Sequence, residues 1–330
     1  MNRILIAVLA LLVCVPLVAQ ARLGGSGAQF LVLGGGCRSV GMGGAYVAMA
    51  EGTDAIYFNP AGLGHLDAPT FSFSHGEVFA DINLENVAFA TPALGGVVGV
   101  SGVGFLSGEI TRTTFEDQEG ETGETFSAND FAFGLSYARM MTDKFTAGLT
   151  FKFINQNIDK VSANGWAFDV GGTYMMGMGN LRLGFAIRNF GPDLSYSGED
   201  LEFDTGLPEY EEVEEDIPAA YKSEAYPMPL IFQVGLAYDL LYSGPNRFTA
   251  VLDGIHPNDQ DETFNMGLEY GFNDSYFARV GYTGRSSMGF TAGLGARVTL
   301  GGGVLAGIDY SYEDHEYLDA IQRFSLTVSY

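Results

Sequence analysis

The sequence predicts an all-β protein: a transmembrane antiparallel β-barrel of about fourteen strands, with a small N-terminal hatch or plug inside it. Three observations predict it. Many segments alternate with period two between apolar and small or polar residues, as strands do between lipid and a lumen. The connectors between them alternate between long and short. Beyond the first twenty-odd residues, no stretch reaches the roughly 20 apolar residues of a membrane helix.

Residues 1–21 read as a secretory signal peptide. Arg3 supplies the positive charge, Ile4 to Val18 the apolar run, and Ala19-Gln20-Ala21 the small-x-small cleavage pattern, with cleavage expected after Ala21. The alternative, an uncleaved anchor, would need a longer apolar run. Cleavage would also remove Cys14, leaving Cys37 as the one mature cysteine and no intrachain disulfide.

The chain carries 40 acidic against 16 basic residues, a net charge of −24, and losing Arg3 makes it −25. That balance excludes nucleic acid as a partner, because phosphates are neutralised by Lys and Arg. Glycine is abundant at 46 residues, aromatics make up 13% and charged residues only 17%, a barrel-like composition.

Residues 22–66 form the second region and differ from the rest of the chain. Gly34-Gly35-Gly36 opens a glycine-rich stretch. Met42, Ala45, Tyr46 and Met49 then fall at i, i+3, i+4 and i+7, which predicts a short amphipathic helix. Asn59-Pro60 ends any helix.

The third region, 67–330, is the barrel. Strands are expected over 70–79, 85–91, 95–106, 128–140, 145–156, 165–176, 181–190, 229–240, 246–254, 263–272, 275–283, 288–299, 303–313 and 321–330. Over 145–153, for example, Phe145, Ala147, Leu149, Phe151 and Phe153 alternate with Thr146, Gly148, Thr150 and Lys152. Connectors 107–127, 157–164, 191–228, 255–262 and 314–320 are expected outside, and the tight turns inside. A soluble β-sandwich has no reason to sort its loops this way. Lipid offers no hydrogen bonds, so every strand edge must be closed. Outward aromatics would meet outer-membrane lipid, with Tyr side chains and Trp166 at the interface. Inward Gly, Ala, Ser and Thr leave a lumen for residues 22–66 to fill. Phe324, Leu326, Val328 and Tyr330 end the chain on an alternating strand, similar to the insertion signal read by barrel-assembly machinery.

Residues 36–63 contain Gly36-x-Arg38, Gly41-Met42-Gly43-Gly44-Ala45 and Asn59-Pro60-Ala61-Gly62-Leu63. This stretch resembles the N-terminal signature of the PorV/PorQ family, within the wider FadL-like superfamily of outer-membrane proteins. The resemblance implies a fourteen-stranded barrel with Gly36, Arg38, Gly41, Gly43, Gly44, Asn59, Pro60, Ala61 and Gly62 in its hatch. In the PorV branch it implies a component of type IX protein secretion that receives exported cargo proteins. In the FadL branch it implies passage of long-chain fatty acids or other hydrophobic small molecules. On their own chemistry, the glycines allow close approach of hatch backbone to barrel wall. Arg38 needs an inward carboxylate, with Asp169, Asp239, Asp253, Glu269 and Asp309 as candidates, because a buried unpaired Arg is costly. Sealing and gating are both open to such a segment.

No enzyme is expected. The glycine-rich run lacks the spacing and strand–turn–helix context of a dinucleotide site, no Gly-x-Ser-x-Gly elbow occurs, and the histidines at 65, 75, 256 and 315 lack metal spacing. No cofactor is implied. Glu211, Glu212, Glu214, Glu215 and Asp216 crowd the connector 191–228. They read as a solvated, self-repelling loop, with calcium binding or docking of a basic partner as alternatives. The sequence thus favours a secretion component, with a channel for hydrophobic compounds as the second reading and, as the third, a structural barrel or an enzyme such as a lipase, the enzyme disfavoured by the missing catalytic set.

Overall fold

A computed structural model describes residues 25–78, 82–177, 180–205, 217–284, 288–315 and 319–330. Residues 1–21, where a signal peptide with Cys14 is expected, and the acidic run 211–216 lie outside the described residues.

Fourteen antiparallel strands close into one barrel: β1 (Thr70–Glu77), β2 (Asn83–Ala93), β3 (Gly96–Leu106), β4 (Ala128–Thr142), β5 (Phe145–Ile158), β6 (Val161–Met175), β7 (Arg182–Phe190), β8 (Ile231–Ser243), β9 (Asn246–Pro257), β10 (Thr263–Phe272), β11 (Tyr276–Tyr282), β12 (Met288–Thr299), β13 (Leu305–His315) and β14 (Ile321–Ser329). Each pairs with its sequence neighbours. The seam closes where β1 pairs with β14, from Thr70 opposite Ser329 to Glu77 opposite Gln322. All fourteen expected segments are strands, with ends shifted by a few residues.

The period-two pattern sorts the residues as the two environments require. Along β1, Thr70, Ser72, Ser74 and Gly76 are buried toward the lumen while Phe71 and Phe73 face outward. Leu149, Phe151 and Phe153 on β5, and Trp166 on β6, face outward as well. At one end the hairpins are tight: Leu94-Gly95 and Asn273-Asp274 have positive φ at both turn positions, the primed geometry that matches strand twist. At the other end lie the long connectors 107–127 and 191–230, which carry short β-ribbons of their own. One expected outer connector is corrected. Residues 157–164 form no loop, because β5 and β6 run on to Ile158 and Val161 and turn in two residues, with Asp159 at φ 53°.

The N-terminal segment lies inside the barrel and contains α1 (Phe30–Leu33), α2 (Cys37–Gly41), α3 (Ala55–Phe58) and a 3-10 turn over Pro60–His65. The predicted amphipathic helix over Met42–Met49 is absent. Those four side chains are buried as expected, but Gly43 and Gly44 take left-handed φ of 68° and 73°, which breaks the helical repeat into turns. The protein's buried apolar cluster is therefore the packing of this segment against the lumen wall.

Candidate functional site

The segment enters at the long-loop end. Gly27 N–H donates to Pro227 O at 2.9 Å, and Ser26 and Gln29 both reach the Asp259 carboxylate. Ala28, Phe30 and Leu31 then join an apolar cluster with Leu84, Val103, Ile154, Leu194, Met228 and Ile321, so the outer half of the lumen holds apolar side chains filled by the chain itself. The segment leaves at the tight-turn end, where Leu66 leads to Thr70.

Between these ends Arg38 meets its carboxylate. Of the five candidates Glu269 on β10 takes it, with Nε and Nη2 donating to Oε2 and Oε1 at 2.8 Å each. This bidentate arrangement is among the stronger hydrogen-bonded pairs. Glu51 receives a third bond from Arg38. Glu269 also accepts from Arg279 Nε at 2.7 Å, and Arg279 Nη1 donates to Asp309 at 2.6 Å. Asp239 pairs with Arg182 at 3.0 Å and Asp169 with Lys152 at 2.6 Å, so these two candidates are taken by cations of the wall itself. Asp253 accepts from the backbone N–H groups of Tyr46 and Val47 at 2.7 and 3.0 Å, fixing the turn that replaced the helix. Arg188 donates to Tyr57 O at 2.9 Å and stacks over the Phe58 ring.

Every motif residue lies in the lumen. Gly36, Arg38, Gly41, Gly43, Asn59, Pro60, Ala61 and Gly62 are buried, and Gly44 is partly so. Asn59 is extended at φ −154°, as a residue before proline prefers. Its Nδ2 donates to Val47 O and Gly172 O, and its Oδ1 caps Ala61 N–H, so one side chain joins two hatch segments to β6. A Cβ on Gly62 would lie 2.1 Å from Ala50 O, and one on the wall residue Gly281 would lie 2.2 Å from Gly43 N. Hatch and wall thus touch backbone to backbone. The terminal residues Phe324, Leu326 and Tyr330 face outward and Val328 is half-buried.

Sequence reasoning missed Arg279, Arg188, Gln233 and Ser325 as hatch holders. For Arg279, Arg188 and Gln233 the signal was present, since each is a large polar residue at an inward position of an alternating strand where small residues are the rule, while Ser325, small itself, carried none. Among the described residues no group of His, Cys, Asp and Glu is arranged to hold a metal.

Two cavities flank the hatch. One, of about 250 Å³, opens at the tight-turn end between Glu51, Asp54, His65, Arg297 and Asp309. Burial, and then Asp309, push the carboxyl of Asp54 in this cavity up to about 6, against Arg38, Arg279 and Arg297. The other, of about 40 Å³, lies beside Val32, Val40, Phe58 and Arg323. A benzene-sized molecule needs roughly 150 Å³ of dry cavity, so the smaller one passes none unless the hatch shifts.

No protein-family model matches the chain, and no curated protein is similar to it in sequence. Solved structures do resemble it. The CymD monoaromatic hydrocarbon channel aligns over 90% of this chain and 97% of its own, at a TM-score of 0.56 and 14% identity. The Pseudomonas putida toluene transporter TodX aligns over 90% and 97%, at 0.53 and 13%. A Pseudomonas aeruginosa FadL homologue aligns over 90% and 98%, at 0.53 and 11%. These identities speak for the fold alone, and they do not single out the PorV/PorQ branch. The chain is a closed fourteen-stranded β-barrel that shares the fold of FadL-like outer-membrane channels.

Proposed function

We propose that this protein is an outer-membrane channel for hydrophobic small molecules, with residues 25–66 as its hatch. One observation carries the reading. The outer lumen is an apolar site already occupied by Ala28, Phe30 and Leu31, so an apolar solute could replace like with like. The likeness in fold to hydrocarbon channels supports it. Export through a signal peptide cleaved after Ala21 belongs to the same proposal.

The secretion reading is the weaker one. It rests on the resemblance of residues 36–63, and neither a family model nor a curated relative adds to it. Uptake of N-phenylnaphthylamine, an apolar dye that intact outer membranes exclude, is the test. Cells making the protein should take it up faster than cells lacking it. Equal rates, with folded barrel present in the membrane, would overturn the channel reading.

A further inference from the structure

The lumen wall is divided. From Thr70 to Ala138, covering β1 to β4, the lumen-facing side chains among the described residues are small, apolar or neutral, except Asp130 at the outer end of β4. The opposite arc, β7 to β14, carries Arg188, Asp253, Glu269, Arg279, Asp309 and Arg323 in the same inward positions.

The hatch follows this division, except that the inner side of α3 also meets the charged arc, where Arg188 donates to Tyr57 O and stacks over Phe58. Helix α2 lies against β11 to β14. Around it, Arg38 is clamped by Glu269, Leu33 O accepts from Arg323 Nη1 at 2.7 Å, and Cys37 N–H donates to Ser325 Oγ at 3.0 Å. Helix α3 meets the uncharged arc through Ile56, whose Cδ1 lies 3.1 Å from where a Cβ on Gly99 would be. Its Tyr57 hydroxyl donates to Val87 O at 3.0 Å, a neutral bond.

Moving hatch from wall costs differently on the two sides. On the charged arc it strands buried ions, the expensive event. On the uncharged arc an apolar solute takes over the contacts it displaces, and the bonds broken are neutral ones, the Tyr57 hydroxyl to Val87 O and Gly35 N–H to Asn86 Oδ1. We propose that apolar solutes cross this barrel along the seam between α3 and the β1–β4 wall, while α2 stays clamped to β11–β14. The hatch is a hinged leaf rather than a cork. This rests on the channel reading above and adds the route.

Two disulfide locks separate the arcs. Ser325→Cys faces the native Cys37, whose Sγ lies 3.0 Å from Ser325 Oγ, and ties α2 to β14. Ile56→Cys with Gly99→Cys, in a Cys37→Ser background, ties α3 to β3. Folded barrel is confirmed for each variant by its heat-sensitive gel shift, and each is compared with itself, oxidised and reduced. N-phenylnaphthylamine uptake should drop to the level of cells lacking the protein when the 56–99 lock is oxidised, and recover with reductant. The 325–37 lock should leave uptake unchanged in both states. If both locks stop uptake, the hatch moves as a body and the seam is wrong. If the 56–99 lock has no effect, the route lies elsewhere. If the parent protein shows no uptake at all, the channel reading fails and the seam with it.

Discussion

Replacing Glu269 with Gln removes a charge that two buried arginines share. Arg38 and Arg279 both donate to this carboxylate at 2.7–2.8 Å, and Glu269 is 1% exposed. Breaking a buried pair from one side costs about 3–5 kcal/mol, because the surviving charge is stranded. Two features place the loss at the lower end. Arg279 keeps Asp309 at 2.6 Å, and Arg38 keeps Glu51, although that carboxylate is 41% exposed and screened by water. A loss of about 3 kcal/mol is roughly a hundredfold in the ratio of docked to undocked hatch. Hydrogen exchange of the backbone amides between Cys37 and Val47, in lipid nanodiscs, reads this ratio directly. The Glu269→Gln variant should exchange there faster by that factor, while the amides of β2 to β5 keep their protection. Adding Arg38→Met should reverse part of the loss, since the stranded charge is then gone. Unchanged exchange in the single variant, with an intact barrel, would refute the idea that this ion pair holds the hatch.

Three further outcomes are expected. Gly43→Ala should loosen the same amides, because φ 68° costs a non-glycine residue about 1–2 kcal/mol and the new Cβ would lie 2.6 Å from Tyr282 O. Asp54, with its carboxyl raised to about 6 against an ordinary 3.8, should keep its proton in the docked hatch and release it in the undocked hatch only between those two values. Between those two values its contribution to docking should weaken as pH rises, against the neighbouring Asp309, Arg38, Arg279 and Arg297, and Asp54→Asn should flatten that part of an exchange-versus-pH profile. Phe133→Arg places a charge on the lipid face of β4, where the parent side chain is 60% exposed, and should cost about 2–4 kcal/mol in reversible folding into bilayers if it lies near the midplane. A cost near zero would place Phe133 outside the hydrocarbon layer.

The fourteen strands were legible in the sequence because the signal is local. Each strand meets lipid on one side and a packed lumen on the other, and period two records both within nine or ten residues. Glycines at 41, 43, 44 and 62 were legible as close-approach points for the same reason: the absent side chain is itself the mark. The backbone of 42–49 was not, since its helical spacing and its left-handed glycines point to different structures, and burial against the wall decided between them. Residues 157–164 misled because their polar composition suits the outer rim whether the chain there is loop or strand.

The sequence alone determined that Arg38 needs a carboxylate, because a buried guanidinium without one is unstable. Only the tertiary structure decided that it is Glu269, 231 positions away, rather than Asp169, Asp239, Asp253 or Asp309. Alternation says that a side chain faces the lumen; closure of the barrel says which others face it there. The same closure gathers the charges of β7 to β14 on one arc and leaves β1 to β4 neutral but for Asp130 at the outer end of β4, a division carried by no single segment of the chain.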